Sequence, residues 1–187
     1  MDQMRLLKMS LEDLSVLSKP ENISARTSLP EGYSFRMYTP GLETEWIRIQ
    51  DEADDYIKVD KKFFEQEFHP HEEELPRRMV MLTHGDNLIG TATAWPDDIY
   101  GDPGTGRLHW VAIVPEYQGK GLAVSLTYFT LSLFPALGCS RAYLLTNAVR
   151  IPAISLYLKL GFKPVIGDPE EQRAWEEILG FIESLRM

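Results

Sequence analysis

The stretch from Val111 to Ala123, Val-Ala-Ile-Val-Pro-Glu-Tyr-Gln-Gly-Lys-Gly-Leu-Ala, carries the clearest chemical pattern in the sequence. A β-rich run ends at Val114, a short loop with Gly119 and Gly121 follows, and an apolar helical stretch begins. Backbone N–H groups at a helix N-terminus have no intrahelical partners, and the helix dipole adds partial positive charge there. Glycines let an anion approach that backbone without meeting a Cβ. The segment is built like a cradle for a pyrophosphate. It is not a P-loop, since GxxxxGK[ST] is missing, and it lacks the GxGxxG of dinucleotide folds. A plain strand–turn–helix with glycines for packing is the competing reading.

A second segment runs from Arg150 to Phe162, Arg-Ile-Pro-Ala-Ile-Ser-Leu-Tyr-Leu-Lys-Leu-Gly-Phe. Ala153 and Tyr157 are four apart and share a helix face, and Gly161 reads as the residue that closes the helix. His109 has the same parity as Val111 and Ile113, so a regular strand would put all three on one side. A histidine there suits general base chemistry near neutral pH, or equally a half-buried imidazole bonded to backbone. Glu116 belongs to the turn and is a weaker candidate base. Asp51, Glu52, Asp54 and Asp55 read as a solvated acidic helix end that could also draw in an ammonium group. His69-Pro70-His71-Glu72-Glu73-Glu74 offers nitrogen and carboxylate donors but no apparent fourth partner, so no metal site is expected. Cys139 has no base motif beside it and reads as structural.

The elements that must hold these residues follow from pattern. Leu7, Leu11, Leu14 and Leu17 fall at helical spacing, which predicts a helical extension and linker over residues 1–28, broken at Lys19-Pro20-Glu21-Asn22. A single domain over residues 29–187 follows. Its strands are expected at Tyr33–Tyr38, Arg78–Thr83, Leu88–Trp95, Arg107–Val114, Arg141–Thr146 and Phe162–Val165. Helices are expected at Glu43 to about Tyr56, near Lys61–Phe68, from Gly119 to about Leu137, at Pro152–Leu160 and from Pro169 to about Leu185. Asp168 before Pro169, with Glu170 and Glu171 next, is a clear N-terminal signal for the last. Gly90, Ala92 and Ala94 share one face of a strand, where something must pack closely. Hairpins first and βαβ crossovers later make a mixed α+β sheet.

Together the two segments resemble the GCN5-related N-acetyltransferase superfamily. Its acetyl-CoA loop, Q/R-x-x-G-x-G/A, is matched by Gln118, Gly121 and Ala123, and its LY-x-K-x-GF by Leu156, Tyr157, Lys159, Gly161 and Phe162. The resemblance is specific over about residues 105–166 and extends from 30 onward. It implies a largely antiparallel central sheet flanked by helices, with acetyl-CoA as the acyl donor and CoA as product. The backbone of Val111, Ala112 and Ile113 would pair with the pantetheine arm, and the amides of Gln118, Gly119, Lys120, Gly121, Leu122 and Ala123 would hold the pyrophosphate. The Ile113 N–H could stabilise an oxyanion. Tyr157 would sit near the thioester sulfur. A phenol near pKa 10 and a thiol near 8.5 make full proton transfer cost about 2 kcal/mol, so Tyr157 is read as a hydrogen-bond donor. An ammonium near pKa 10.4 loses its proton at pH 7 at a cost of ~4.6 kcal/mol, and His109 lies on the strand where some members place a histidine base.

Two departures matter. The asparagine usually found seven residues before the tyrosine is Arg150 here, with Asn147 ten before, and the chain ends in a helix where the family often adds a seventh strand. The implied function is acetyl transfer from acetyl-CoA to a primary amine by direct attack in a ternary complex. A non-catalytic acyl-CoA-binding or interaction module is the rival.

Composition narrows the partners. The chain has 187 residues, 44% of them apolar and 25% charged, with Lys+Arg 19 against Asp+Glu 28, a net charge of −9. So acidic a chain is a poor binder of phosphate backbones, which argues against a nucleic-acid partner. The acceptor is expected to be a small-molecule or peptide amine, and a homodimer is left open. The most membrane-like stretch, the sixteen uncharged residues Leu122–Leu137, is shorter than the ~20 residues that span a bilayer and carries Ser125, Thr127, Thr130, Ser132 and Pro135, so no membrane role is expected. Met1–Lys8 lacks the apolar run of a signal peptide, and a single cysteine favours a reducing, cytoplasmic setting.

Overall fold

The structure, a computed structural model, describes residues 5–15, 17, 25–54 and 56–185. In chain order the elements are β1 (Leu6–Leu11), β2 (Tyr33–Met37), α1 (Glu43–Ala53), α2 (Lys61–Phe68) and a single turn, α3 (Leu75–Arg78). Then come β3 (Met79–His84), β4 (Asn87–Pro96), β5 (Thr105–Ile113), α4 (Leu122–Leu133), β6 (Arg141–Asn147), α5 (Ile151–Lys159), β7 (Lys163–Pro164) and α6 (Pro169–Ser184). One seven-stranded sheet runs β2-β3-β4-β5-β6-β1-β7. Every neighbouring pair is antiparallel except β5 with β6. This is the mixed, mostly antiparallel sheet expected.

The N-terminal segment corrects the sequence reading. Leu6–Leu11 is a strand, not a helix, and it lies inside the sheet between β6 and β7. Leu7 and Met9 point into the core, where they pack with Ile154, Trp175 and Ile178, while Lys8 and Ser10 alternate outward. That is the period of a strand, and the leucine spacing imitated a helix because Leu14 and Leu17 are buried beyond it. The predicted break at Lys19–Asn22 lies outside the described residues. The C-terminal helix starts as expected: Asp168 accepts hydrogen bonds from the Glu170 and Glu171 N–H groups.

Helices cover both faces. Trp46, Ile49, Phe64 and Phe68 bring α1 and α2 onto the face of β4 and β5 that carries Trp95 and His109. Tyr128, Leu131 and Phe134 bring α4 and its extension onto the opposite face, against Ala94 and Leu108. Small residues permit these approaches. A Cβ on Gly106 would lie 2.2 Å from the Phe134 ring, and one on Gly90 would lie 2.9 Å from the Ala112 carbonyl oxygen.

Candidate active site

The sheet opens where chemistry was expected. β5 and β6 pair only over Thr105–Arg107 with Arg141–Tyr143, and beyond these residues no ladder joins them. The edge of β5 from Leu108 to Ile113 is therefore left unpaired on that side, while β4 satisfies the other. An exposed strand edge can accept an extended ligand through main-chain hydrogen bonds. Val111, Ala112 and Ile113 lie on this edge.

The loop that follows is pinned at its base. Gln118 Nε2 donates to the Ile113 carbonyl at 2.7 Å, and the Val114 N–H donates to Ile89 O at 2.9 Å. Tyr117 is braced by His84, whose Nδ1 lies 3.2 Å from its hydroxyl, and Lys120 lies over the Tyr117 ring. Gly119 and Gly121 adopt φ of +72° and +78°, where an L side chain is strained. A Cβ at either would meet nothing within 4 Å. Gly121 is the N-cap of α4, and no side chain caps that helix. The Gln118 N–H, expected in the cradle, donates instead to the Pro115 carbonyl at 3.1 Å, so Gln118 braces the loop. Among the described residues the N–H groups of Gly119 to Ala123 have no hydrogen-bond partner, and with the helix dipole behind them that donor set fits a pyrophosphate. Among the described residues, the amides of Gly119 to Ala123 and the open β5 edge together suit acetyl-CoA.

His109 departs from its expected place. A register shift in the β4–β5 ladder falls between Thr91 and Thr93, and Trp110 takes φ +50°. This bulge reverses parity. His109 pairs with Thr93 and Ala112 with Thr91, so His109 does not share the side of Ile113. It points at α2, where Nε2 lies 3.1 Å from Glu67 Oε2. The imidazole is 5% exposed, and burial pulls its pKa down to about 4, against the pull of Glu67. It is neutral at pH 7. Trp110 Nε1 donates to the same Glu67 oxygen at 2.9 Å, and Gln50 of α1 donates to the Trp110 carbonyl at 3.0 Å.

Tyr157 is buried on α5 with its ring edge-on to Phe162. Burial pushes its pKa up to about 12, and the charge of Arg150 draws it back. The phenol stays protonated at neutral pH and can only donate. Arg150, the N-cap of α5, forms an ion pair with Asp54, the residue that ends α1. Asp54 is one turn beyond Gln50, so α1 reaches both the β5 bulge and the start of α5. Side chains from α1, α2, β5 and α5 thus meet around the opening in the sheet.

The acidic helix end is not a free patch. Asp51 pairs with Lys58, Glu52 with Arg48 and Asp54 with Arg150, while Asp55 lies outside the described residues. Glu116 is exposed. His69 and His71 are exposed beside Glu72 and Glu73, and no group of three or more metal-ligating side chains occurs among the described residues. Burial raises the Cys139 thiol's pKa, which suits a packing role. Among the described residues no helix is long and apolar enough to cross a membrane. Glu67 was missed by the sequence reading. Its signal was a carboxylate set among Phe63, Phe64 and Phe68 on the apolar stripe of α2.

Comparison with known proteins agrees with this fold. The chain is 30% identical over 152 residues to a mycothiol acetyltransferase of Pseudarthrobacter chlorophenolicus, covering 72% of this chain and 44% of that protein. A mycothiol acetyltransferase of Catenulispora acidiphila is 26% identical over 159 residues, covering 81% and 51%. The chain spans about half the length of these curated relatives. A GCN5-related N-acetyltransferase from Sphaerobacter thermophilus superposes with a TM-score of 0.69 at 20% identity, covering 86% of this chain and 48% of that one. The ribosomal-protein-S18-alanine N-acetyltransferase from Escherichia coli gives 0.58 at 19% identity, covering 72% and 79%. The sheet that parts after Arg107, and the glycine loop at its opening, lie within residues 43–162, the stretch that matches the Acetyltransferase (GNAT) family model, and the chain belongs to that family.

Proposed function

We propose that this protein is an N-acetyltransferase that moves an acetyl group from acetyl-CoA to a primary amine, by direct attack within a ternary complex. The observation that carries the reading is the uncapped N-terminus of α4, with Gly119 and Gly121 at positive φ beside the unpaired edge of β5. Bound acetyl-CoA supplies an activated thioester, whose C–S bond breaks as the N–C bond forms and whose sulfur keeps the electron pair. The amides of Gly119 to Ala123 bind the pyrophosphate, Gln118 holds the loop that presents them, and Val111, Ala112 and Ile113 align the pantetheine arm. The Ile113 N–H is in this account the donor to the carbonyl oxygen as negative charge develops there. Tyr157, held protonated by burial, donates a hydrogen bond to the departing sulfur.

The similarity to mycothiol acetyltransferases favours a small-molecule amine as acceptor. The low isoelectric point, about 5.0, and the single cysteine favour a cytoplasmic setting without a nucleic-acid partner. The domain reading becomes one folded unit that includes the N-terminal strand, since β1 pairs on both its edges.

The test is release of CoA thiol, followed with a thiol reagent, as acetyl-CoA is offered with spermidine, glucosamine, S-methylcysteine amide or the dipeptide Ala-Gly. Turnover with at least one amine, confirmed by the mass of the acetylated product, is expected. Thermal stabilisation by acetyl-CoA without turnover of any amine would instead identify a non-catalytic acyl-CoA-binding module.

A further inference from the structure

We propose that Glu67 receives the ammonium group of the acceptor, with His109 and Trp110 as the positioning residues that aim its carboxylate. The inference deepens the acetyltransferase reading and rests on it.

Glu67 sits on the buried side of α2, and its side chain is 28% exposed. Both of its hydrogen bonds, from His109 Nε2 and Trp110 Nε1, end on the same oxygen, Oε2. Among the described residues Oε1 makes no hydrogen bond, and the carboxylate forms no ion pair with Lys or Arg. Burial opposes the charge, but the bonds from His109 and Trp110 outweigh it and hold the carboxyl below its ordinary range. Glu67 is therefore an anion at neutral pH beside a neutral imidazole. The pair carries a net charge of about −1, and Arg107 balances it only from a distance.

Neighbouring carboxylates are already matched. Asp54 has Arg150, Asp98 has Arg107, and Glu74 has Arg77 and Arg78. A half-buried anion held only by neutral donors, with one bare oxygen, is the complement of a primary ammonium, which brings a positive charge and three donors. Its place is the second point. Through Trp110 it is fixed to the bulge that immediately precedes Val111, Ala112 and Ile113, the edge assigned to the thioester arm. An amine docked at Glu67 approaches that edge from the α2 side of the sheet. With so low a proton affinity Glu67 binds the ammonium rather than keeping its proton, which leaves to water before the nitrogen attacks.

In this proposal His109 is a positioning residue rather than the base. Its Nε2–H serves the carboxylate, and a side chain that supplies an N–H at the same position should replace it. The test is steady-state kinetics of the full chain with acetyl-CoA and the best acceptor of the four-amine panel. Glu67→Gln should raise the amine KM tenfold or more while the acetyl-CoA KM stays within twofold. His109→Ala should raise the amine KM several-fold, and His109→Gln should restore it to near the wild-type value. Retained stabilisation by acetyl-CoA shows that each variant is folded. If Glu67→Gln fails that control, Glu67→Asp replaces it, since withdrawing the carboxylate by one methylene should give the same rise. An amine KM within twofold of wild type in the folded Glu67 variant would overturn the proposal and leave the acetyltransferase reading intact. Wild type that turns over no amine would overturn both.

Discussion

The two sides of the opening between β5 and β6 are made of different materials. On the α4 side the site consists of backbone: consecutive N–H groups from Gly119 to Ala123, two glycines at positive φ and a strand edge without a strand partner. On the α1 and α2 side it consists of side chains that come together from distant parts of the chain. Gln50 holds the Trp110 carbonyl, Glu67 holds His109 and Trp110, and Asp54 holds Arg150. Backbone donors recognise a phosphate whatever the rest of the ligand is, so the first side suits a cofactor shared by a whole family. Side-chain constellations can change one residue at a time, so the second side is where an individual acceptor is chosen.

That contrast can be broken or sharpened by substitution. Gly121→Glu places an anion in the cradle and should weaken acetyl-CoA binding at least a hundredfold by calorimetry. Gly121→Ala suffers the same backbone strain, roughly 1 kcal/mol or more at an αL position, without the charge, and should weaken it far less. Tyr157→Phe should lower kcat by about a hundredfold with the acetyl-CoA KM little changed, as expected for a donor used in the transition state. An equal loss in acetyl-CoA affinity would make Tyr157 part of the cofactor wall instead.

The side-chain half carries a pH signature. As pH falls from the ordinary histidine value of 6.5 toward the folded value of about 4, the unfolded chain takes up a proton at His109 that the folded one refuses. Stability is therefore complete above pH 6.5 and falls by about 3 kcal/mol on the way to pH 4. Thermal melts of wild type and His109→Gln across this range should show a drop that the variant lacks, and parallel curves would contradict the buried, neutral imidazole. The smallest effect is expected where the halves meet. Gly90→Ala would push a Cβ to 2.9 Å from the Ala112 carbonyl oxygen, at a cost of about 1–3 kcal/mol. It should raise the acetyl-CoA KM a few-fold by shifting the edge of β5 and leave the amine KM nearly unchanged.

The same division decides what could be read from the sequence. The cradle was legible because its parts are contiguous: strand, Pro115, glycines and helix lie within Val111–Leu133 in the order they occupy in space. The start of α6 was legible for the same reason, since Asp168 caps its own helix. The bulge was not, because one φ of +50° at Trp110 leaves no mark on residue type, and it sent His109 to the face opposite the one parity assigned. Glu67 depends on partners 42 and 43 positions away, and Asp54 on one 96 away. The strand at Leu6–Leu11 was read as a helix for a related reason. Its partners are β6 and β7, and the short alternation of Leu7, Met9 and Leu11 with Lys8 and Ser10 competed with a longer leucine spacing that runs on to Leu14 and Leu17.

The central claim is that the glycine loop and the open strand edge form an acetyl-CoA site. Its most direct test is the thermal shift of wild type and Gly121→Glu with acetyl-CoA. At a hundredfold excess over Kd, linkage gives about 2.7 kcal/mol, or roughly 5–10 °C for a chain of this size. Wild type should rise by that amount, and folded Gly121→Glu should not move. No shift in well-folded wild type at millimolar acetyl-CoA, or an equal shift in both proteins, would contradict the account.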